Sequence, residues 1–343
     1  MKKNNFEQTI KLIHKEINVK LVKTNTELDK FLSSSVTIIP KLGNYFFKKR
    51  GKQLRPVLCL LSSKMINKNY SKISSDIYMS TAIEFIHGAT LLHDDVIDEG
   101  KIRRGQKSIN SIWNNNFSVL FGDFLFSKSF KLMTKAKSLE AMASLAEVSS
   151  KISEGEFMQL THENNTQISE KEYIKIISLK TAELFAAAMK IPAILSGKNS
   201  KIISNLNKLG LYFGIIFQIM DDYLDYFGEK VTGKENGKDF YEGKITLPII
   251  LLLKKSSINE MRFIKKIFNK IKRSKSEYIE LMKLMEKYKI NDDVKNFSQK
   301  YNSRSLKILS SFKGYQKELF VNLLSSSITV SYTHLTLPTI SVV

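Results

Sequence analysis

The sequence predicts an all-α protein, and three observations carry that expectation. Only five prolines and fifteen glycines occur in 343 residues, so helix breakers are thin over long stretches. No segment of useful length alternates apolar and polar residues with period 2, as a half-buried strand does. Apolar residues gather instead in blocks of several helical turns, most clearly IEFIHGATLLHDDVID at 83–98 and LGLYFGIIFQIMDDYLD at 209–225. The apolar fraction, 43%, is that of an ordinary globular chain, and the length suits one large helical domain, expected over 1–327.

Taken in order, residues 1–35 read as an amphipathic lead-in of one or two helices ending at Ser33, Ser34 and Ser35. Pro40 and Gly43 are expected to break the next segment, at 36–47. The basic turn at 48–55 leads into a helix at 56–65 with Pro56 in its first turn, where a missing N–H is harmless. A polar link at 67–75 precedes the helix that ends in Asp94, Asp95 and Asp98, and GKIRRG at 100–105 is a loop. Helices are expected at 119–134, 139–160 and 172–191, with a boundary at Pro192 and Gly197. The helix at 203–227 carries Asp221, Asp222 and Asp225, a Gly/Lys loop fills 231–244, and Pro248 opens a helix at 246–255. Residues 256–320 read as Lys-rich surface helices. The segment ITVSYTHLTLPTISVV at 328–343 is out of character, because lysine vanishes while Thr and Val accumulate. It is expected to be a strand-like extension or a segment foreign to the fold.

The formal net charge is +21. An anionic partner would exploit that charge, but lysines scattered over solvated faces account for it more simply. No basic segment carries the interleaved aromatics of a single-strand binder, and no zinc-finger spacing occurs, so nucleic acid is not an expected partner. The one cysteine, Cys59, sits in VLCLL as a small buried hydrophobe, which rules out a disulfide within the chain and fits a reducing, cytoplasmic location. The first 30 residues are charged and resemble neither a signal peptide nor a transit peptide. No run approaches the ~18–20 uninterrupted apolar residues of a membrane span.

The acids point to the chemistry. On a helix Asp94, Asp95 and Asp98 share one face, three and four positions apart, and Asp221, Asp222 and Asp225 repeat the pattern. One such triplet is most often a solvated helix end. Two triplets, each closing a buried apolar helix, need cations, since clustered carboxylates beside a core are costly alone. Oxygen ligands without Cys or paired His suit Mg²⁺, which shares its shell with phosphate oxygens and water. Arg103 and Arg104 follow the first triplet, Lys234, Lys238 and Lys244 the second; Lys52 and Arg55 stand at a helix start and Lys180 lies in LKTAEL. Arginine is the rarer cation here and forks onto phosphate, so the Arg pair is the least readily dismissed as solvated surface.

In the order and at about the spacing they occupy here, GKQLRP, IHGATLLHDDVIDEGKIRRG, GDFLFSKSF, LKTAELF, FQIMDDYLD and GKENGKDFYEGKITLP resemble the successive motifs of the trans-polyprenyl diphosphate synthases, covering 43 to about 255. The resemblance implies the class I isoprenoid synthase fold, about a dozen helices around a central cavity, normally as a homodimer. It implies that Asp94, Asp95, Asp98, Asp221, Asp222 and Asp225 hold Mg²⁺, three ions per site, against an allylic diphosphate. By the same resemblance Arg103, Lys180, Lys234 and Lys244 grip that diphosphate, and Lys52, Arg55, His87 and Arg104 bind isopentenyl diphosphate. Thr181 and Gln218 match groups that face the developing carbocation. Gln53 stands where the family often has a second arginine. The small Ala89 and Thr90 just before Asp94, with Phe85 and Ile86 one turn deeper, are the expected ruler of product length, and the whole version resembles synthases of long quinone tails. His93 is expected to pack rather than act as a base.

Other readings are weaker. A terpenoid cyclase or head-to-head synthase would not need Lys52, Arg55 and Arg104, and a non-catalytic subunit would not need intact triplets. A short-chain farnesyl or geranylgeranyl synthase remains the alternative for product length. A basic membrane-binding protein leaves the acids unexplained, although release of a long prenyl chain makes transient membrane contact sensible.

Overall fold

The computed structural model describes residues 6–228 and 236–329. It is all-α, as the breaker count and the periodicity require. The amphipathic lead-in is one helix, α1 (Phe6–Phe31), followed by α2 (Ile38–Phe47), α3 (Leu54–Ile66) and α4 (Ser75–Ile97). A ribbon of two-residue strands, β1 (Ile102–Arg103) and β2 (Gln106–Lys107), pairs antiparallel before α5 (Ile109–Ile112), α6 (Asn115–Lys135) and α7 (Leu139–Thr161). Then come α8 (Glu170–Ile177), a π turn at Ser178–Ala182, α9 (Glu183–Leu195) and α10 (Ser200–Phe227). After a short α11 (Lys238–Glu242) the chain closes with α12 (Leu247–Lys255), α13 (Ile258–Phe268), α14 (Lys275–Lys287), α15 (Ile290–Leu309) and α16 (Tyr315–Thr329).

Local chemistry sets these ends. Ser169 with Glu172, Ser257 with Glu260 and Ser274 with Glu277 form reciprocal capping boxes on α8, α13 and α14. Pro248 stands in the first turn of α12. Three expectations need correction. Helix α2 runs through Pro40 and Gly43, because the proline falls in the first turn, where its N–H has no helical partner to lose. Helix α9 likewise continues past Pro192 and stops at Gly197, whose φ of +57° lets Lys198 N–H reach Ala193 O and Gly197 N–H reach Ile194 O. The loop at 100–105 holds part of the ribbon, whose strands are too short for any period to show. At the chain's end α16 carries 328 and 329 as helix, and the rest of the atypical segment lies outside the described residues.

Two apolar clusters fill the interior. One gathers α1, α3, α8, α10 and the C-terminal helices, the other α2, α4, α6 and α7. Helix α9 belongs to both: Phe185 and Met189 face the first, Leu184, Ala187, Ala188 and Ile191 the second. Apart from Glu183 and Lys190 it is therefore apolar on both of its packed faces, as a central helix must be. Helix α10 is long and apolar enough to cross a membrane by length and composition, but it packs against α9 and α15 inside the fold.

The π turn is pinned by two glycines. A Cβ on Gly155 of α7 would lie 2.5 Å from the Lys180 nitrogen, and one on Gly214 of α10 2.5 Å from the Ala182 Cα. Glycine inside a helix normally costs stability; here it permits backbones on both sides to close on the turn that carries Lys180 and Thr181. Gly214→Ala is expected to lower stability by roughly 1–3 kcal/mol, read from the urea midpoint. An unchanged midpoint would show that the contact is not needed.

Candidate active site

Helix α4 delivers the first triplet. Asp95 is 2% exposed and receives Arg103 Nε at 3.0 Å and Nη2 at 2.5 Å, both on Oδ1. Its carbonyl takes Gly100 N–H and Asn110 Nδ2, so the ribbon's root is tied to the triplet. Asp98 accepts Lys244 Nζ at 3.0 Å, a contact from the far side of the chain. Burial alone would raise the Asp98 carboxyl, but Lys244, with Lys180 and Lys238 beyond it, holds it below its ordinary value. Burial lowers an ammonium, yet Asp98 and Glu242 (3.0 Å) together hold Lys244 above its usual range. Asp94 is pushed up to about 6 by burial, with Glu156 and Asp98 adding to the rise against Lys180 and Arg103.

The second triplet is built differently. Asp221 is exposed at the end of the apolar run. Asp222 is buried and accepts two donors, Tyr173 Oη at 2.6 Å and Gln218 Nε2 at 2.8 Å. Burial moves it up to about 7; the two donors oppose this and the neighbouring Asp221 and Asp225 reinforce it. Thr181 Oγ1 donates to Gln218 Oε1 at 2.9 Å, so Thr181, Gln218 and Asp222 form one directed chain. Asp225 accepts the backbone N–H groups of Lys238 and Asp239, each at 3.0 Å, and thereby starts α11. Among the described residues no three acids or histidines converge to hold a cation unaided. The expected site residue Lys234 lies outside the described residues.

The basic side forms a separate group. Arg55 lies over the Phe185 ring at 4.2 Å and points Nη1 at His87 Nε2, 3.1 Å away. A guanidinium only donates, so His87 Nε2 accepts and the ring is neutral with its proton on Nδ1. Burial, followed by Arg55, Arg104 and Arg103, sets His87 well below its ordinary value, consistent with that tautomer. Arg104 donates to the Lys49 carbonyl at 3.0 Å. Lys52 is half-buried 4.8 Å from the Phe6 ring. Gln53 turns away, donating to Asn25 of α1 at 2.9 Å. His93 packs against α6, its Nε2 3.2 Å from the Val119 carbonyl oxygen. Of the expected ruler, Phe85, Ile86 and Ala89 are fully buried in the cluster that holds Ala187 and Ala188, with Phe85 edge-on to Phe47 at 6.0 Å. Thr90 is half-buried and its hydroxyl bonds the His87 carbonyl.

Four residues at the site were not read from the sequence. Tyr173 holds Asp222, and Glu156 holds Lys180 Nζ at 2.6 Å. Asp239 lies among Asp222 and Asp225, and burial with those two raises its carboxyl well above the ordinary value. Glu84, 2% exposed one turn before His87, faces Arg104, Arg55 and Arg50. A charged residue inside the apolar IEFIHGATLL was the available signal for Glu84; Tyr173 left none. Burial pushes Glu84 up to about 7 against the three arginines. Its ionised form therefore costs stability: nothing below the ordinary value of 4.5, rising to a plateau above about 7. The melting temperature of Glu84→Gln minus that of the ligand-free parent should become more positive across that window, and a difference independent of pH would refute the assignment.

Comparison with known proteins gives the family. The polyprenyl synthetase family model matches residues 36–285. Octaprenyl diphosphate synthase of Haemophilus influenzae is 35% identical over 266 residues, 77% of this chain and 80% of that one. Geranylgeranyl pyrophosphate synthase of Geoglobus acetivorans is 36% identical over 215 residues, 61% and 66% of the two chains. Among solved structures, a decaprenyl diphosphate synthase from Rhodobacter capsulatus superposes with a TM-score of 0.89 at 32% identity, covering 93% of this chain and 98% of that one. A polyprenyl synthase from Caulobacter crescentus complexed with calcium and isoprenyl diphosphate gives 0.87 at 32% identity, covering 93% and 97%. The chain belongs to the polyprenyl synthetase family.

Proposed function

We propose that the chain condenses isopentenyl diphosphate with an allylic prenyl diphosphate, head to tail, into a long-chain all-trans polyprenyl diphosphate destined for quinone side chains. The observation that carries this reading is the pairing of two unlike anion sites along α4, with His87 two turns before Asp94. One is rich in acids and crossed by Lys180 and Lys244, which suits a diphosphate held through metal. The other, Arg55, His87 and Arg104, is built of cations and a neutral imidazole, which suits a diphosphate held directly.

The donor set fits Mg²⁺: carboxylate oxygens, too few in any one place to enclose an ion, leave positions for phosphate oxygens. Asp94, Asp95, Asp98, Asp221, Asp222 and Asp225 are the residues that would hold it, three ions per site being the family expectation; Asp95 and Asp222 are in addition anchored through Arg103, Tyr173 and Gln218. Bound there, Mg²⁺ supplies charge neutralisation and Lewis acidity to the leaving diphosphate. Lys180, Lys244, Arg103 and, by its place in the sequence, Lys234 add donors to the same anion. Lys52, Arg55, His87 and Arg104 orient isopentenyl diphosphate so that its double bond faces the allylic carbon. The chain from Thr181 through Gln218 to Asp222 presents fixed dipoles to the carbocation at no reorganisation cost. The surrounding apolar helices exclude water. The departing diphosphate takes the proton lost after attack.

The growing chain runs along α4, past Ala89 and Thr90 towards Ile86 and Phe85. The names of relatives support either long or geranylgeranyl products, and small residues next to Asp94 favour the long. The catalyst is a homodimer on this reading. Val119 and Phe130 of α6, eleven apart and so on one face, and Leu120 beside them are exposed by 39%, 49% and 66%, as a buried subunit face requires. Location in the cytoplasm and contact with membrane only on product release complete the proposal.

Incubation with Mg²⁺, radiolabelled isopentenyl diphosphate and an allylic primer should yield products longer than geranylgeranyl, and Ala89→Phe should shorten them on chromatography. No incorporation would sink the synthase reading, and an unchanged length in Ala89→Phe the ruler alone. Light scattering should give twice the chain mass, and Leu120→Glu with Phe130→Glu should halve it; a parent that is already monomeric would refute the pairing.

A further inference from the structure

Glu156 is the most closely engaged acid near the site that belongs to neither triplet. It stands on α7 next to Gly155, whose missing side chain lets α7 touch the π turn at the Lys180 nitrogen, so the register of the two is fixed by backbone contact. Its Oε2 lies 2.6 Å from Lys180 Nζ, and both side chains are largely withdrawn from solvent, 15% and 19% exposed. Its second oxygen, Oε1, is buried with no hydrogen-bond partner. A surface ion pair would satisfy both oxygens with water and contribute little; this one is sheltered and geometrically defined. Glu156 and Lys180 also act together on Asp94, the acid opposing its charge and the lysine supporting it. Lys180 is thus held by one acid and acts through space on an acid of the first triplet.

From this geometry we propose that Glu156 is a positioning residue, which fixes the Lys180 ammonium so that its remaining two protons face the diphosphate at the first triplet. The proposal rests on the prenyltransferase reading. An ammonium has three donors on a flexible four-carbon stem. Tethering one donor to Oε2 removes most of that freedom before substrate arrives, so less is lost when the other two engage phosphate oxygens. Glu156 touches no reacting atom. Its effect passes through Lys180 and reaches the allylic diphosphate alone, since isopentenyl diphosphate is held by the separate Arg55, His87 and Arg104 group.

A double-mutant cycle tests this. Binding of a non-ionisable thiolo analogue of the allylic diphosphate, with Mg²⁺, is measured by calorimetry for the full chain and for E156Q, K180M and E156Q/K180M. E156Q keeps shape and polarity, and thermal melts establish that each variant is folded. E156Q should weaken the analogue roughly tenfold in the parent, as loss of one charge-assisted contact does, and by less than about twofold when Lys180 is already absent. The KM for isopentenyl diphosphate should stay within about twofold of the parent. Equal weakening in both backgrounds, no weakening at all, or an equal rise in the KM for isopentenyl diphosphate would overturn the role. Failure of the parent chain itself to bind the analogue would instead overturn the synthase reading on which the role rests.

Discussion

Carboxylates forced together at the ends of two apolar helices are the constraint on which the rest of the molecule depends. Helices α4 and α10 place their acids against a core, where an unpaired charge is costly. The fold answers four of the six acids with partners of their own. Asp95 meets Arg103, Asp98 meets Lys244, Asp222 meets Tyr173 and Gln218, and Asp225 meets the start of α11. These partners come from the ribbon, the Gly/Lys loop, α8 and α10 itself, so the acids also tie down the ribbon and the Gly/Lys loop, which have little apolar content of their own. Buried ion pairs are weak evidence for stability. Their value here is positional, because each fixes a cation or a dipole beside an acid of one of the two triplets.

The second organising element is α9 with its π turn. A π turn widens the helix by one residue and shifts the side chains on either side of it. Here it sets Lys180 towards the acids while Thr181 donates to Gln218 and Phe185, one turn on, lies beneath Arg55. One short stretch thereby touches the acid-rich group, the dipole chain and the basic group. Because α9 also belongs to both apolar clusters, the geometry among the three groups is set by core packing rather than by loops, which is what precise placement of two substrates demands.

Much of this was legible in the sequence, and the parts that were share a physical reason. Helix periodicity and acid spacing are local signals, so the triplets, their helices and the cations that follow them could be read directly. The Lys-rich composition was rightly discounted as solvated surface in general, although Lys20 is an exception, 3% exposed and bonded to the buried Asp76 at 2.6 Å. Helix ends failed at Pro40 and Pro192 because a proline's effect depends on which turn it occupies and on the packing around it. Glu156, Tyr173 and Asp239 were invisible for a different reason. Each is one polar residue among several in its helix, and its meaning lies in a partner brought near by the fold. Glu84 alone carried a local warning, a charge among apolar neighbours.

The ion pairs beside the triplets bear on recognition. Lys244 is shared between Asp98 and Glu242, at 3.0 Å from each, and α11 beside it begins on Asp225. On the proposed function the same atoms have new partners when substrate is present: Asp98 is drawn to metal and Lys244 to phosphate. Neither charge then passes through an unpaired state in the interior, because each exchanges one partner for another of the same sign. The pairs seen here act as placeholders that keep the acids and lysines at working distance. Lys180 obeys the same logic with Glu156 as its holder, and so the site carries its full complement of charge before the substrates that use it arrive.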